Sequence, residues 1–146
     1  MRLVLDTDVL VAALRSDKGA SRRLLLAALD RKVAMLVSVP LMFEYEAVLK
    51  RPEHLAAIGL TAAEVDTVLD AAARVCEPVR LAFLWRPRLR DPSDEMVLET
   101  AVNGRADRLV TFNLRHLGGA AREFGIRVAP PGEAWRELQR REHEKK

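Results

Sequence analysis

The sequence predicts an α/β fold, a mainly parallel sheet covered by helices on both faces. Three observations carry that expectation. Short, continuously apolar runs recur along the chain, as buried strands require. Segments with apolar residues at helical spacing alternate with them, which is the order of a parallel sheet with crossover helices. The 146 residues, 49% hydrophobic, suit one domain with one sizeable core, and no repeat or Gly/Ser-rich or Pro-rich linker divides them.

In order, Arg2-Leu3-Val4-Leu5-Asp6 reads as a short buried strand ending on a carboxylate. A helical pattern follows through Val9, Leu10, Ala13 and Leu14, with Asp8 as its candidate cap. A second helix, roughly Ala20 to Asp30, leads into the apolar run Val33 to Val37, a second strand. Ser38 and Pro40 start a helix that runs to about Lys50, where Arg51-Pro52 breaks it. Thr61 heads a further helix with Glu64 at the capping-box position and Val65, Val68, Leu69 and Ala72 as its apolar face. After Cys76 a short strand is expected near Pro78 to Leu81, and residues 85–90 carry too much Pro and Arg to be regular. Asp91-Pro92-Ser93-Asp94 opens a helix to about Asn103, ended by Gly104. Arg108 to Thr111 is the next strand, Leu114 to Phe124 a broken helical segment, and Ile126 to Val128 the last strand. Gly132 to Glu142 closes the chain as a helix, with residues 140–146 expected to fray.

Composition narrows the function classes. A lone Cys76 cannot form an intrachain disulfide, so nothing asks for an oxidising compartment, and the cytoplasm is expected. Asp6 and Asp8 interrupt the N-terminal apolar stretch, which is neither a signal peptide nor a membrane span. The formal net charge is only +3, yet most of the 24 basic residues are Arg, whose fork matches phosphate. A genome rich in G and C would produce the same excess.

Four oxygen-bearing residues stand out. In such sheets ligands bind beyond the carboxyl ends of the strands, where Asp6 leaves the core, although strand-end Asp residues also initiate turns. Glu44 lies three residues after Leu41 and four before Val48, beside the stripe formed with Tyr45 and Leu49. A carboxylate there must be paired, with an Arg for example, or bound to metal. Glu46, by contrast, has Lys50 at i+4. Asp94 falls in a dense acidic group with Asp91 and Glu95 at a helix start, where capping needs only one or two of them. Asn113 ends the run Leu109-Val110-Thr111-Phe112, on the same sheet edge as Asp6, and could equally begin a turn. Oxygen donors with three His and one Cys in the chain suit Mg²⁺ or Mn²⁺ rather than zinc.

These positions resemble the PIN-domain nuclease family, in the branch that serves as toxins of prokaryotic toxin–antitoxin systems. The similar segments are residues 4–11 around Asp6, Ser38 to Leu49 around Glu44, Asp91 to Glu95, and Gly104 to Asn113. Each is weak alone, but their order and spacing are specific. Two positions depart from the family pattern: Asp8 stands where Asn is usual, and Asn113 where Asp is frequent. The resemblance implies a Rossmann-like three-layer sandwich of four or five mainly parallel strands, in one domain spanning 1–146.

It also implies a site in which Asp6, Glu44 and Asp94 hold one or two divalent ions, Mg²⁺ or Mn²⁺, directly or through water. Asn113 would orient a water or ligand, with Asp8 and Asp91 in support. Thr111 is either a β-branched strand residue or a hydrogen-bond donor that holds the acids. Such an ion eases deprotonation of the attacking water and offsets charge on the phosphate oxygens. The implied substrate is single-stranded RNA, with Arg86, Arg88, Arg90, Arg105 and Arg115 as phosphate contacts. His116 lies close enough to Asn113 to merit a test. An antitoxin and a homodimer are the implied protein partners, with no membrane. Two other readings stay open: a PIN-like scaffold that binds RNA or a partner without cutting, and a haloacid-dehalogenase-type phosphatase. In the latter, Asp6 would be the nucleophile and Asp8 the general acid, but a suitable Lys is wanting.

Overall fold

Why the chain folds around its first strand is visible in the burial of Leu3, Val4 and Leu5, each at most 1% exposed. The computed structural model describes residues 1–82 and 91–145. The irregular stretch expected at 85–90, with Arg86, Arg88 and Arg90, lies outside the described residues. The N-terminal half runs β1 (Arg2–Leu5), α1 (Thr7–Arg15), α2 (Ala20–Leu29), β2 (Ala34–Val37), α3 (Val39–Leu49), α4 (Pro52–Ile58) and α5 (Ala62–Val75). β3 (Glu77–Pro78), α6 (Pro92–Asn103), β4 (Arg108–Val110), α7 (Leu114–Glu123), β5 (Arg127–Ala129) and α8 (Pro131–Glu144) follow.

All strand pairs are parallel, in the order β3-β2-β1-β4-β5. This is the expected α/β class, a Rossmann-type sandwich with a sheet of five strands. From β1 the chain winds outward through β2 to β3, then returns across β1 to lay down β4 and β5. The connections leaving the ends of β1 and β4 therefore depart in opposite directions, opening a crevice there, the switch point where such sheets bind ligands. Leu36, Tyr45, Leu98, Leu109 and Leu117 extend the core around β1.

Local chemistry explains most boundaries. The α5 capping box forms: Thr61 Oγ1 accepts from Glu64 N, and Glu64 accepts from Thr61 N, both at 3.1 Å. Glu46 pairs with Lys50 at 3.0 Å, and Lys50 also reaches Asp66 at 2.6 Å. Arg108 grips Glu137 with two nitrogens, fixing α8 to β4.

Several elements differ from the sequence reading. Pro52 begins α4 as its first residue, because a missing N–H costs nothing there, and Gly59, at φ 79°, ends it. α7 is unbroken through Gly118 and Gly119. β3 is Glu77–Pro78 rather than Pro78 to Leu81, because its partner β2 ends at Val37 and leaves residues 80 and 81 nothing to pair with. Asp6, not Asp8, caps α1. Gly104 does end α6, but at φ −87° and so without a left-handed turn; Arg105 takes the positive φ of 53°. A Cβ on Gly104 would lie 2.8 Å from Val79 Cγ2 and 3.0 Å from Leu36 Cδ1, so glycine is there for space.

Candidate active site

Asp6 is the first residue beyond β1, and its backbone N–H still donates to Val110 of β4 at 2.9 Å. Its side chain is consequently held between the two strands at the switch point. Oδ1 accepts from Thr7 N at 2.8 Å, and Oδ2 accepts from the Thr111 hydroxyl at 2.6 Å. Asp6 as a whole is 6% exposed. Burial raises its pKa, against the opposing pull of the Thr111 and Thr7 hydrogen bonds.

Thr111 relays the geometry outward. The same hydroxyl accepts from Asn113 N at 2.9 Å, and Asn113 Nδ2 donates to Asp94 Oδ2 at 3.3 Å. One hydrogen-bonded path thus joins Asp6, Thr111, Asn113 and Asp94, tying the ends of β1 and β4 to the start of α6. Asn113 Oδ1 meets His116 Nδ1 at 2.7 Å. An amide oxygen only accepts, so Nδ1 carries the proton. Asp94 has its pKa raised by burial first and then by the charge of Asp6, with Asp91 adding to it.

The second half of the site comes from α3. Glu44 accepts from Ser93 Oγ at 2.7 Å, so α3 and α6 meet through it. Asp91 spends its carboxylate on the cap of α6, accepting from Ser93 N at 2.9 Å. Beside Glu44, fully buried Tyr45 donates its hydroxyl to the Leu5 carbonyl at 2.5 Å, fixing α3 against the strand end that presents Asp6. Complete burial holds the phenol well above its usual pKa. Sequence periodicity placed Tyr45 in the core but could not reveal this bond, nor the one from Ser93.

A cavity of about 420 Å³ opens at this edge, lined by Thr7, Asp8, Glu44 and Ser93 and, on its far wall, Arg51 and His54. These two residues escaped the sequence reading because α4 did. His54 Nδ1 donates to the Val48 carbonyl at 2.7 Å, and Arg51 is exposed. Asp8 accepts from Phe112 N at 3.3 Å. Its pKa is pushed up to about 7, by burial first and by the charge of Asp6 second.

Of the Arg candidates that are described, Arg115 is exposed in the first turn of α7, next to Asn113. Arg105 lies in the turn before β4, at the amino ends of the strands, because α6 carries the chain away from the acidic edge. Arg105 therefore stands at the opposite end of β4 from Thr111 and Asn113. Lys50, held by Glu46 and Asp66, is not available as the lysine that a phosphatase of the haloacid-dehalogenase type would require.

Do these residues fit a divalent cation? Among the described residues no three His, Cys, Asp or Glu side chains stand close enough together to hold one metal ion. The donor chemistry nevertheless fits: all are hard oxygens, and the charge of Asp6 raises the pKa of both Asp8 and Asp94, a repulsion that a bound cation would relieve. Two buried oxygens on the cavity wall, Asp8 Oδ1 and Thr7 Oγ1, have no hydrogen-bond partner among the described residues. Buried polar atoms are seldom left so without a ligand or water to satisfy them.

No curated protein and no solved structure matches the chain. A family model described as PIN domain matches residues 2–115, a stretch that includes Asp6, Glu44, Asp94, Thr111 and Asn113. PIN domains are generally nucleases that use divalent metals, which makes nucleic acid the substrate class, and among the described residues no helix is long and apolar enough to cross a membrane. With the family's match running from β1 to the start of α7, through every strand and helix that supplies the acidic edge, the chain belongs to the PIN domain family.

Proposed function

We propose that this chain is an endoribonuclease that hydrolyses phosphodiester bonds in single-stranded RNA with Mg²⁺ or Mn²⁺. The observation that carries the reading is the path Asp6–Thr111–Asn113–Asp94, which fixes two acidic residues from separate elements across the switch point. Asp6, Glu44 and Asp94 would hold the ion, directly or through water. When bound, it supplies activation of water and neutralisation of charge on the phosphate.

The chain's own residues do the positioning. Thr111 fixes Asp6, and each carboxylate oxygen keeps a second lone pair for a ligand. Asn113 orients Asp94. Ser93 holds Glu44, so recruiting Glu44 to an ion requires it to leave that hydroxyl or to act through water. Arg51 and His54 on the cleft wall, and Arg115 beside Asn113, are suited to the phosphates of the strand. Arg86, Arg88 and Arg90 stay candidates for the same role. We further assign the chain to the cytoplasm, as the toxin of a toxin–antitoxin pair and a homodimer, with the antitoxin covering the acidic edge.

Cleavage of a mixed RNA pool in Mn²⁺, Mg²⁺ or EDTA tests the reading, with Asp6→Asn as control. Metal-dependent cleavage by the wild type, lost in Asp6→Asn with an unchanged circular dichroism spectrum, is expected. Cleavage that survives EDTA would overturn it. A non-catalytic scaffold is the second reading, favoured because among the described residues no three His, Cys, Asp or Glu side chains stand close enough together to hold one ion. Binding of RNA without metal-dependent cleavage would establish it.

A further inference from the structure

A second cavity, of about 440 Å³, lies between α7 and β5. Leu114, Gly118 and Arg122, one above another at i, i+4 and i+8, form its helical wall, and Ile126, Arg127 and Val128 form the opposite wall. Apart from Leu114 these residues lie beyond the 2–115 match, so the groove is not part of the family's shared segment.

Three features of it are not accounted for by the fold. Arg122 and Arg127 come from different elements and face one groove, yet among the described residues neither has a carboxylate partner. Gly118 sits inside a helix, where glycine is unfavourable. A Cβ there would meet nothing within 4 Å, so packing does not demand the bare surface. Leu114 is 43% exposed at the groove mouth, and the neighbouring Phe112 is 54% exposed on the loop that carries Thr111 and Asn113. Leu114 of the groove directly follows Asn113 in the chain, the residue that donates to Asp94 at the acidic edge.

We infer that the α7–β5 groove holds the single-stranded nucleic acid where it runs on from the cleaved bond, with Arg122 and Arg127 on its phosphates. Leu114 and Val128 offer apolar surface to sugars or bases, and exposed Phe112, two residues before Leu114, offers a stacking face. From Leu114 to Arg122 is eight residues, about 12 Å of helix. The alternative occupant, an extended peptide added to edge strand β5, has little to hold. Ala129 turns its carbonyl to Thr111 of β4, so within this three-residue strand only Val128 directs its backbone groups outward. This inference deepens the nuclease reading and rests on it for the identity of the ligand.

Fluorescence anisotropy tests it in Ca²⁺, with labelled oligouridylates of about twelve and about three nucleotides, within and below the usual site sizes of such grooves. Arg122→Ala/Arg127→Ala is expected to weaken the longer RNA about tenfold or more and to flatten its salt slope by about 1.4, for two lost phosphate contacts on a single strand. Gly118→Leu fills the groove without changing charge and improves helix propensity. It should leave the melting temperature unchanged or higher while shrinking the ratio of long to short RNA affinity. If both variants bind both RNAs as the wild type does, the groove inference is overturned. The same holds if an acidic peptide, but not RNA, competes for the groove. Groove-dependent RNA binding by a wild type that never cleaves sinks the nuclease reading alone, so the two failures are distinguishable.

Discussion

At the scale of single residues, the two departures from the family pattern have opposite consequences. Asn113 donates to Asp94 where an Asp could only repel it. Asn113→Asp should therefore lower the melting temperature of the metal-free protein and raise its affinity for Mn²⁺, as read by calorimetric titration. Asp8 adds a half-buried carboxyl next to Asp6, and its pKa, pushed up to about 7, stands above the unfolded value near 3.8. The folded chain then binds more protons than the unfolded one between those values, so this group's effect on stability turns more unfavourable as pH rises through the window. Denaturant unfolding of the metal-free wild type should show stability falling between about pH 4 and pH 7. Asp8→Asn should flatten that slope. Divalent metal, which competes with the proton, should stabilise the wild type more at pH 8 than at pH 5.

At the scale of elements, the site depends on how closely helices seat on the sheet. Tyr45→Phe leaves the Leu5 carbonyl buried without its donor, a loss of roughly 1–3 kcal/mol. Because that bond sets α3 beside β1, the variant should also lose metal affinity, which a purely structural loss far from the site would not cause. Gly104→Ala forces a methyl against Val79 and Leu36, where a Cβ has only 2.8 and 3.0 Å. Overpacking of this kind costs typically about 1–3 kcal/mol, and thermal unfolding should show it. The same helix opens at the acidic edge with Asp91 and Asp94, so its seating reaches both ends of the sheet.

For the whole molecule, the doubly wound order is what turns scattered acids into one edge. Asp6 and Thr111 are 105 positions apart in sequence and hydrogen-bonded in space. A cation bound there stabilises the fold by mass action, about 2.7 kcal/mol at a hundred times its Kd. Mn²⁺ should accordingly raise the melting temperature of the wild type and leave Asp6→Asn unmoved. An equal shift in both proteins would mean that the ion binds elsewhere.

Sequence by itself determined the alternation of strands and helices, since burial on both faces demands continuous apolar runs and helices need their period of 3.6. It also singled out Glu44, because a carboxylate beside Leu41, Tyr45 and Val48 breaks an apolar stripe. Only the tertiary structure decided which groups meet. That Ser93 holds Glu44, that Asn113 donates to Asp94, and that α4 brings Arg51 and His54 to the cleft are contacts between distant segments, invisible to any local pattern. It likewise moved Arg105 to the far end of the sheet and gave the cap of α1 to Asp6. The physical reason is the same in each case. Periodicity and capping report a residue's own element, whereas hydrogen-bond partners, exposure and pKa depend on what packs against it.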